Sequence, residues 1–121
     1  MNMTIDTRQM GDVTIVDISG RIVFGEESAA LRDLVRDLLS REHKKILFDL
    51  GKVDCIDSPG LGHLISAFAN VRKEGGELKL LNLKKNVHDL MQITKLYTIF
   101  DIIDGEKVAI PSFDKSVAVS R

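Results

Sequence analysis

The chain of 121 residues has one cysteine, two prolines and no long apolar run. A lone Cys55 excludes an internal disulfide and any metal cluster built from cysteines alone. Between Val53 and Ile56 it reads as a packed thiol. Charge of one sign is also missing: 17 basic against 18 acidic residues give a formal net charge of −1. No overall basic field is available to draw nucleic acid or an anionic membrane. The longest basic runs are Lys44-Lys45 and Lys84-Lys85, which read as solvated loop lysines. The opening MNMTIDTRQMGD holds no signal-peptide core, and no segment approaches the ~18 apolar residues of a membrane span. The expectation is a cytoplasmic protein in a reducing compartment, with no nucleic-acid and no membrane partner. Asp54 and Asp57 lack a His or Cys companion at metal-ligand spacing, and no Gly-Lys-Ser/Thr phosphate loop occurs. Neither metal nor cofactor is expected.

What is present is an ordinary globular balance, 44% hydrophobic and 29% charged, with length enough for one core. Val13 to Ile18 is apolar on both alternating faces and predicts a buried strand ending at Ser19-Gly20. Met3 to Gln9 predicts a weaker strand joined to it through Gly11-Asp12 as a hairpin. Glu26 and Glu27 open a helix over about 26–41, with Leu31, Leu34, Val35, Leu38 and Leu39 as its apolar stripe. Ile46 to Leu50 reads as a short strand ended by Gly51. A second helix carries Leu61, Leu64, Ile65, Phe68 and Val71 on one face and stops at Glu74-Gly75-Gly76-Glu77. Leu78 to Leu83 is another strand. A third helix starts at Asn86, with Asp89 favouring its first turn and Val87, Leu90 and Met91 inward. Ile99 to Ile102 is a short last strand, a brief helical turn breaks at Ile110-Pro111, and a polar tail follows from about Ser112. Strand–helix–strand alternation implies an α/β domain with a mixed sheet, largely parallel with one hairpin strand. No linker or repeat divides residues 1–121, so a single domain is expected, with its core over about 3–110.

The stretch DCIDSPGLGHLI, Asp54 to Ile65, carries the candidate chemistry. Ser58-Pro59 suits an N-cap followed by a first helical proline, worth ~1 kcal/mol and needing no further purpose. A serine nucleophile would need a base in reach. Ile56 stands where the Gly-x-Ser-x-Gly elbow requires glycine, and His63 lies roughly 140° round the helix from Ser58. His43 and His88 read as solvent-facing, so catalysis is not expected. The third possibility is a switch: phosphate on an exposed hydroxyl adds about two negative charges and disfavours a docked partner. Gly60 and Leu61 would supply N–H groups to that phosphate, with Asp57, and Asp54 if close, opposing it. Gly60 and Gly62 leave room for close approach, although packing or a tight turn explains Gly60 equally well.

Asp49-Leu50, Val53 and Ile56-Asp57-Ser58-Pro59-Gly60-Leu61-Gly62 together resemble the signature of anti-sigma factor antagonists, the small STAS-domain proteins of bacteria. Leu90 to Leu96 with Phe100, and Gly20-Arg21-Ile22, are similar to two further family patterns. The resemblance covers about residues 3–110. It implies a STAS-like mixed sheet of about five strands packed against about four helices. It also implies partner switching: an anti-sigma factor serine kinase binds the unphosphorylated antagonist and releases its sigma factor. The kinase, using its own ATP, then phosphorylates the family serine, here Ser58, and a phosphatase restores binding. The implied partner surface comprises Asp57, Ser58, Gly60 and Gly62, with Arg21, Phe24 and Glu26 beside it. Two departures stand out. Val23-Phe24-Gly25 occupies a place where the family commonly carries an acid, with Phe24 either a partner contact or a core aromatic. Pro59 replaces a residue that is often small. The alternative is a STAS subunit of a scaffold or transport complex in which Ser58 only caps its helix.

Overall fold

The computed structural model describes the backbone of residues 3–23 and 26–119 and the side chains of 3–23 and 29–113. Two strands open the fold, β1 (Met3–Met10) and β2 (Val13–Ile22), paired antiparallel from Met3↔Gly20 to Met10↔Val13. Gly11 takes φ +64 at the first central position of the two-residue turn, which a side chain would resist. Helix α1 (Glu26–Ser40) then leads to β3 (Lys45–Ile56), α2 (Ser58–Lys73) and β4 (Glu77–Leu81). Helix α3 (Lys85–Ile93), a 3-10 turn at Leu96–Thr98, β5 (Asp101–Ile103) and α4 (Glu106–Val119) complete the chain. The strands lie in sequence order β1-β2-β3-β4-β5, parallel except for β1.

Both faces of the central strands are covered, as a parallel sheet requires. The larger core lies under α1, α2 and α3, where Leu31, Val35, Leu64, Val71, Val87 and Met91 meet Val16, Ile18, Phe48 and Leu80. Phe68 and Phe100 close its edge with ring centres 5.1 Å apart, edge to face. The second core lies on the opposite face: Val13, Ile15, Leu47 and Leu81 pack with Ala109 and Phe113 of α4.

Several boundaries differ from the sequence reading. Strand β2 does not stop at Ser19-Gly20 but continues to Ile22, paired with Ile56. Strand β3 does not end at Gly51. The register moves from Asp17↔Asp49 to Ser19↔Lys52, so Gly51 sits in a bulge instead. Its N–H donates to the Asp49 carboxylate at 2.9 Å, and an added Cβ would lie 3.3 Å from the Asn82 carbonyl oxygen. Strand β4 is shorter than expected, and α3 begins one residue early at Lys85, whose ammonium takes Asp89 at 3.0 Å. The expected polar tail is helix α4, with Pro111 inside it and Phe113 buried. The Ser112 hydroxyl donates to the Ala109 carbonyl at 2.5 Å, and Lys79, itself buried, donates to the Ser112 carbonyl and hydroxyl at 3.1 Å. Burial of the second sheet face outweighs the helix cost of one proline. Among the described residues, no helix is long and apolar enough to cross a membrane.

Candidate partner-docking corner around Ser58

Strands β2 and β3 run parallel and finish together at Ile22 and Ile56, and α2 starts two residues later. Asp57, extended at φ −88 and ψ 177, is the N-cap, and its carboxylate accepts from the Gly60 N–H at 2.7 Å. The cap expected at Ser58 is therefore one residue earlier. A carboxylate is the stronger acceptor for helix-end N–H groups and also complements the helix dipole. Ser58 becomes the first helical residue, exposed, with exposed Pro59 after it.

This shift changes what a phosphate on Ser58 would meet. Pro59 has no N–H, the Gly60 N–H is held by the Asp57 side chain, and the Leu61 N–H donates to the Asp57 carbonyl at 2.8 Å. Neither Gly60 nor Leu61 is left to supply a donor, contrary to the sequence expectation. Asp54 is also not a bare neighbouring charge: Lys84 Nζ lies 2.5 Å from its carboxylate, and Asn86 donates to its carbonyl at 2.5 Å. Lys84, read as a solvated loop lysine, ties the end of β3 to the start of α3.

The two glycines separate. Gly60 is buried, and a Cβ there would stand 1.9 Å from the Ile22 carbonyl oxygen. It lets α2 start against the end of β2, which is the packing role that the sequence left open beside a place on the partner surface. Gly62 is exposed, and a Cβ there would meet nothing within 4 Å. Arg21 is exposed near the end of β2, opposite Cys55. Phe24 lies outside the described residues; Glu26 opens α1, with its side chain outside them. Ile65, expected on the inner face of α2, is 37% exposed and follows Gly62 along the outer stripe. His63 and Cys55 are each half-buried, so the thiol is less packed than expected. Among the described residues, no His, Cys, Asp and Glu group could hold a metal ion.

Comparison with known proteins agrees with this architecture. The STAS domain family model matches residues 4–109. The anti-sigma-B factor antagonist of Bacillus subtilis is 34% identical over 102 residues, covering 84% of this chain and 92% of that protein. The anti-sigma F factor antagonist of Paenibacillus polymyxa is 25% identical over 114 residues, 94% of this chain and 97% of that one. Among solved structures, the Bacillus cell fate determinant SpoIIAA in its phosphorylated form superposes with a TM-score of 0.72 at 15% identity. That match covers 90% of this chain and 98% of SpoIIAA, a likeness of fold. The chain belongs to the anti-sigma factor antagonist family of STAS domains.

Proposed function

We propose that this protein binds an anti-sigma factor serine kinase in a partner-switching system regulating transcription, and that phosphorylation of Ser58 switches it off. A phosphatase acting on phospho-Ser58 reverses the change. The protein is ligand and substrate of the kinase rather than a catalyst. The observation that carries this reading is the exposure of Ser58 at the first residue of α2, beside a cap that does not use its hydroxyl.

A phosphate there adds about −1.5 to −2 charge next to the Asp57 carboxylate. With the Gly60 and Leu61 N–H groups already bonded, the dianion stays outward and the helix has little reason to rearrange. A partner covering the corner would have to bury that charge unpaired, which is costly. The docking surface is Asp57, Ser58, Gly62 and Arg21, extended by Ile65, with Phe24 and Glu26 in the adjoining segment.

Incubation with the kinase and ATP is expected to add one phosphate to the intact protein, localised to Ser58 and absent in Ser58→Ala. Titration calorimetry should show Ser58→Ala binding the kinase like the wild type, and Ser58→Asp binding at least about tenfold more weakly. Equal affinity for the two variants, both folded, would sink the switch and favour the scaffold reading.

A further inference from the structure

We infer that the outer edge of β1 is a self-pairing surface, on which a second copy of this chain adds its own β1 antiparallel about a two-fold axis through Thr7. Strand β1 is the first in the sheet order, so among the described residues one side has no neighbouring strand. It is eight residues long and contains no proline, and its pairing with β2 runs unbroken. Such an edge is not short and has no proline or bulge, three of the usual protections against strand addition, and its charges, Asp6 and Arg8, are of opposite sign. The other edge, β5, has three residues and offers far less.

The hairpin fixes which backbone groups face outward. The two-residue turn makes Met10 and Val13 a hydrogen-bonded pair, and the ladder alternates from there. Thr4, Asp6, Arg8 and Met10 therefore direct their N–H and C=O groups to β2. Met3, Ile5, Thr7 and Gln9 direct theirs outward. An antiparallel copy with Thr7 against Thr7 joins outward groups to outward groups, Ile5 meeting Gln9 on either side. Asp6 then faces Arg8 of the other copy twice, in the non-hydrogen-bonded positions where side chains approach most closely.

Charge selects this register over its neighbours. The next one in either direction sets Asp6 against Asp6 or Arg8 against Arg8. The Asp6 side chain is exposed and, among the described residues, has no hydrogen bond or ion pair within its own chain. Arg8 holds Asp17 and Glu106 through four N–H···O contacts, leaving one guanidinium N–H for a further acceptor. A groove lined by Ile5, Asp6, Thr7, Ala30 and Leu34 runs beside the edge, and pairing brings two such grooves together. The surface is small, so the dimer is a transient one. Its symmetry places the two Ser58 corners at opposite ends of a ten-stranded sheet, which would let one dimer engage two partners.

Sedimentation velocity from micromolar to millimolar protein should show reversible dimers. Thr7→Pro, which removes an outward N–H and no bond to β2, should weaken association at least about tenfold while Thr7→Val does not. In a Cys55→Ser background, mild oxidation should link Thr7→Cys into a disulfide dimer, the paired Cα atoms lying within the ~4.4–6.8 Å that a disulfide spans. Ile5→Cys should remain unlinked. A wild type that stays monomeric throughout, or cross-linking at position 5 as efficient as at position 7, overturns the inference. Should Thr7→Pro fail to fold, the two cysteine variants decide alone.

Discussion

Gly60 and Gly62 stand two residues apart on α2 and meet opposite surroundings, which separates their roles. Gly60→Ala forces a Cβ into the backbone of Ile22 and should destabilise by about 3 kcal/mol or more, measured by urea unfolding. Gly62→Ala enters open space in a helix interior and should stabilise by about 0.5–1 kcal/mol. If Gly62 borders the partner, the same methyl should still weaken kinase binding. The cap divides in the same way. Asp57→Ala should cost about 0.5–2 kcal/mol, whereas Ser58→Ala should change stability by less than about 0.5 kcal/mol. The reverse order in thermal melts would return Ser58 to a structural role. Sequence pattern alone located the helix start to within one residue. It could not rank a serine and an aspartate standing side by side, because both cap well and the choice depends on which oxygen reaches the Gly60 N–H.

At the scale of elements, α1, α2 and the β1–β2 hairpin were legible because each carries its own periodicity or turn. Helix α4 was not, since Pro111 is a local stop signal while the reason to continue is the distant apolar face of Val13, Ile15, Leu47 and Leu81. A sign of it was in the sequence: residues 13–18 are apolar on both faces, so both needed a cover. Phe113→Ala should cost about 3–5 kcal/mol and expose this face, read as lower stability with increased binding of an apolar dye. Unchanged stability would mean that α4 contributes little to the fold. Strand β3 was cut short at Gly51 for a similar reason. A glycine reads locally as an end, whereas here it accommodates a bulge between β2 and β4.

For the molecule as a whole, long-range ties join segments that sequence spacing keeps apart. Lys45 of β3 holds Asp12 of the hairpin turn at 2.7 Å and lowers its pKa, chiefly through that hydrogen bond. A lowered carboxylate pKa stabilises the fold above the group's ordinary value of 3.8, and this contribution is lost as pH falls below 3.8 through the lowered value. Asp12→Asn should therefore lower stability slightly at neutral pH and flatten the acid limb, the variant and the wild type converging once pH falls below the lowered value. The effect is small at an exposed site and weaker in salt. An acid limb identical to wild type would show that the pair does not contribute. Periodicity, turn residues and the Asp57–Gly62 run were enough to determine the α/β class, most of the elements and the location of the serine corner. Their signals lie within a few residues of one another. The tertiary structure alone decided that Asp57 rather than Ser58 caps α2, that Gly60 is filled by the Ile22 carbonyl, that Lys84 binds Asp54 and that α4 covers the second face. Each of these depends on atoms brought together from distant parts of the chain, or on a choice among neighbours that only three-dimensional distance can make.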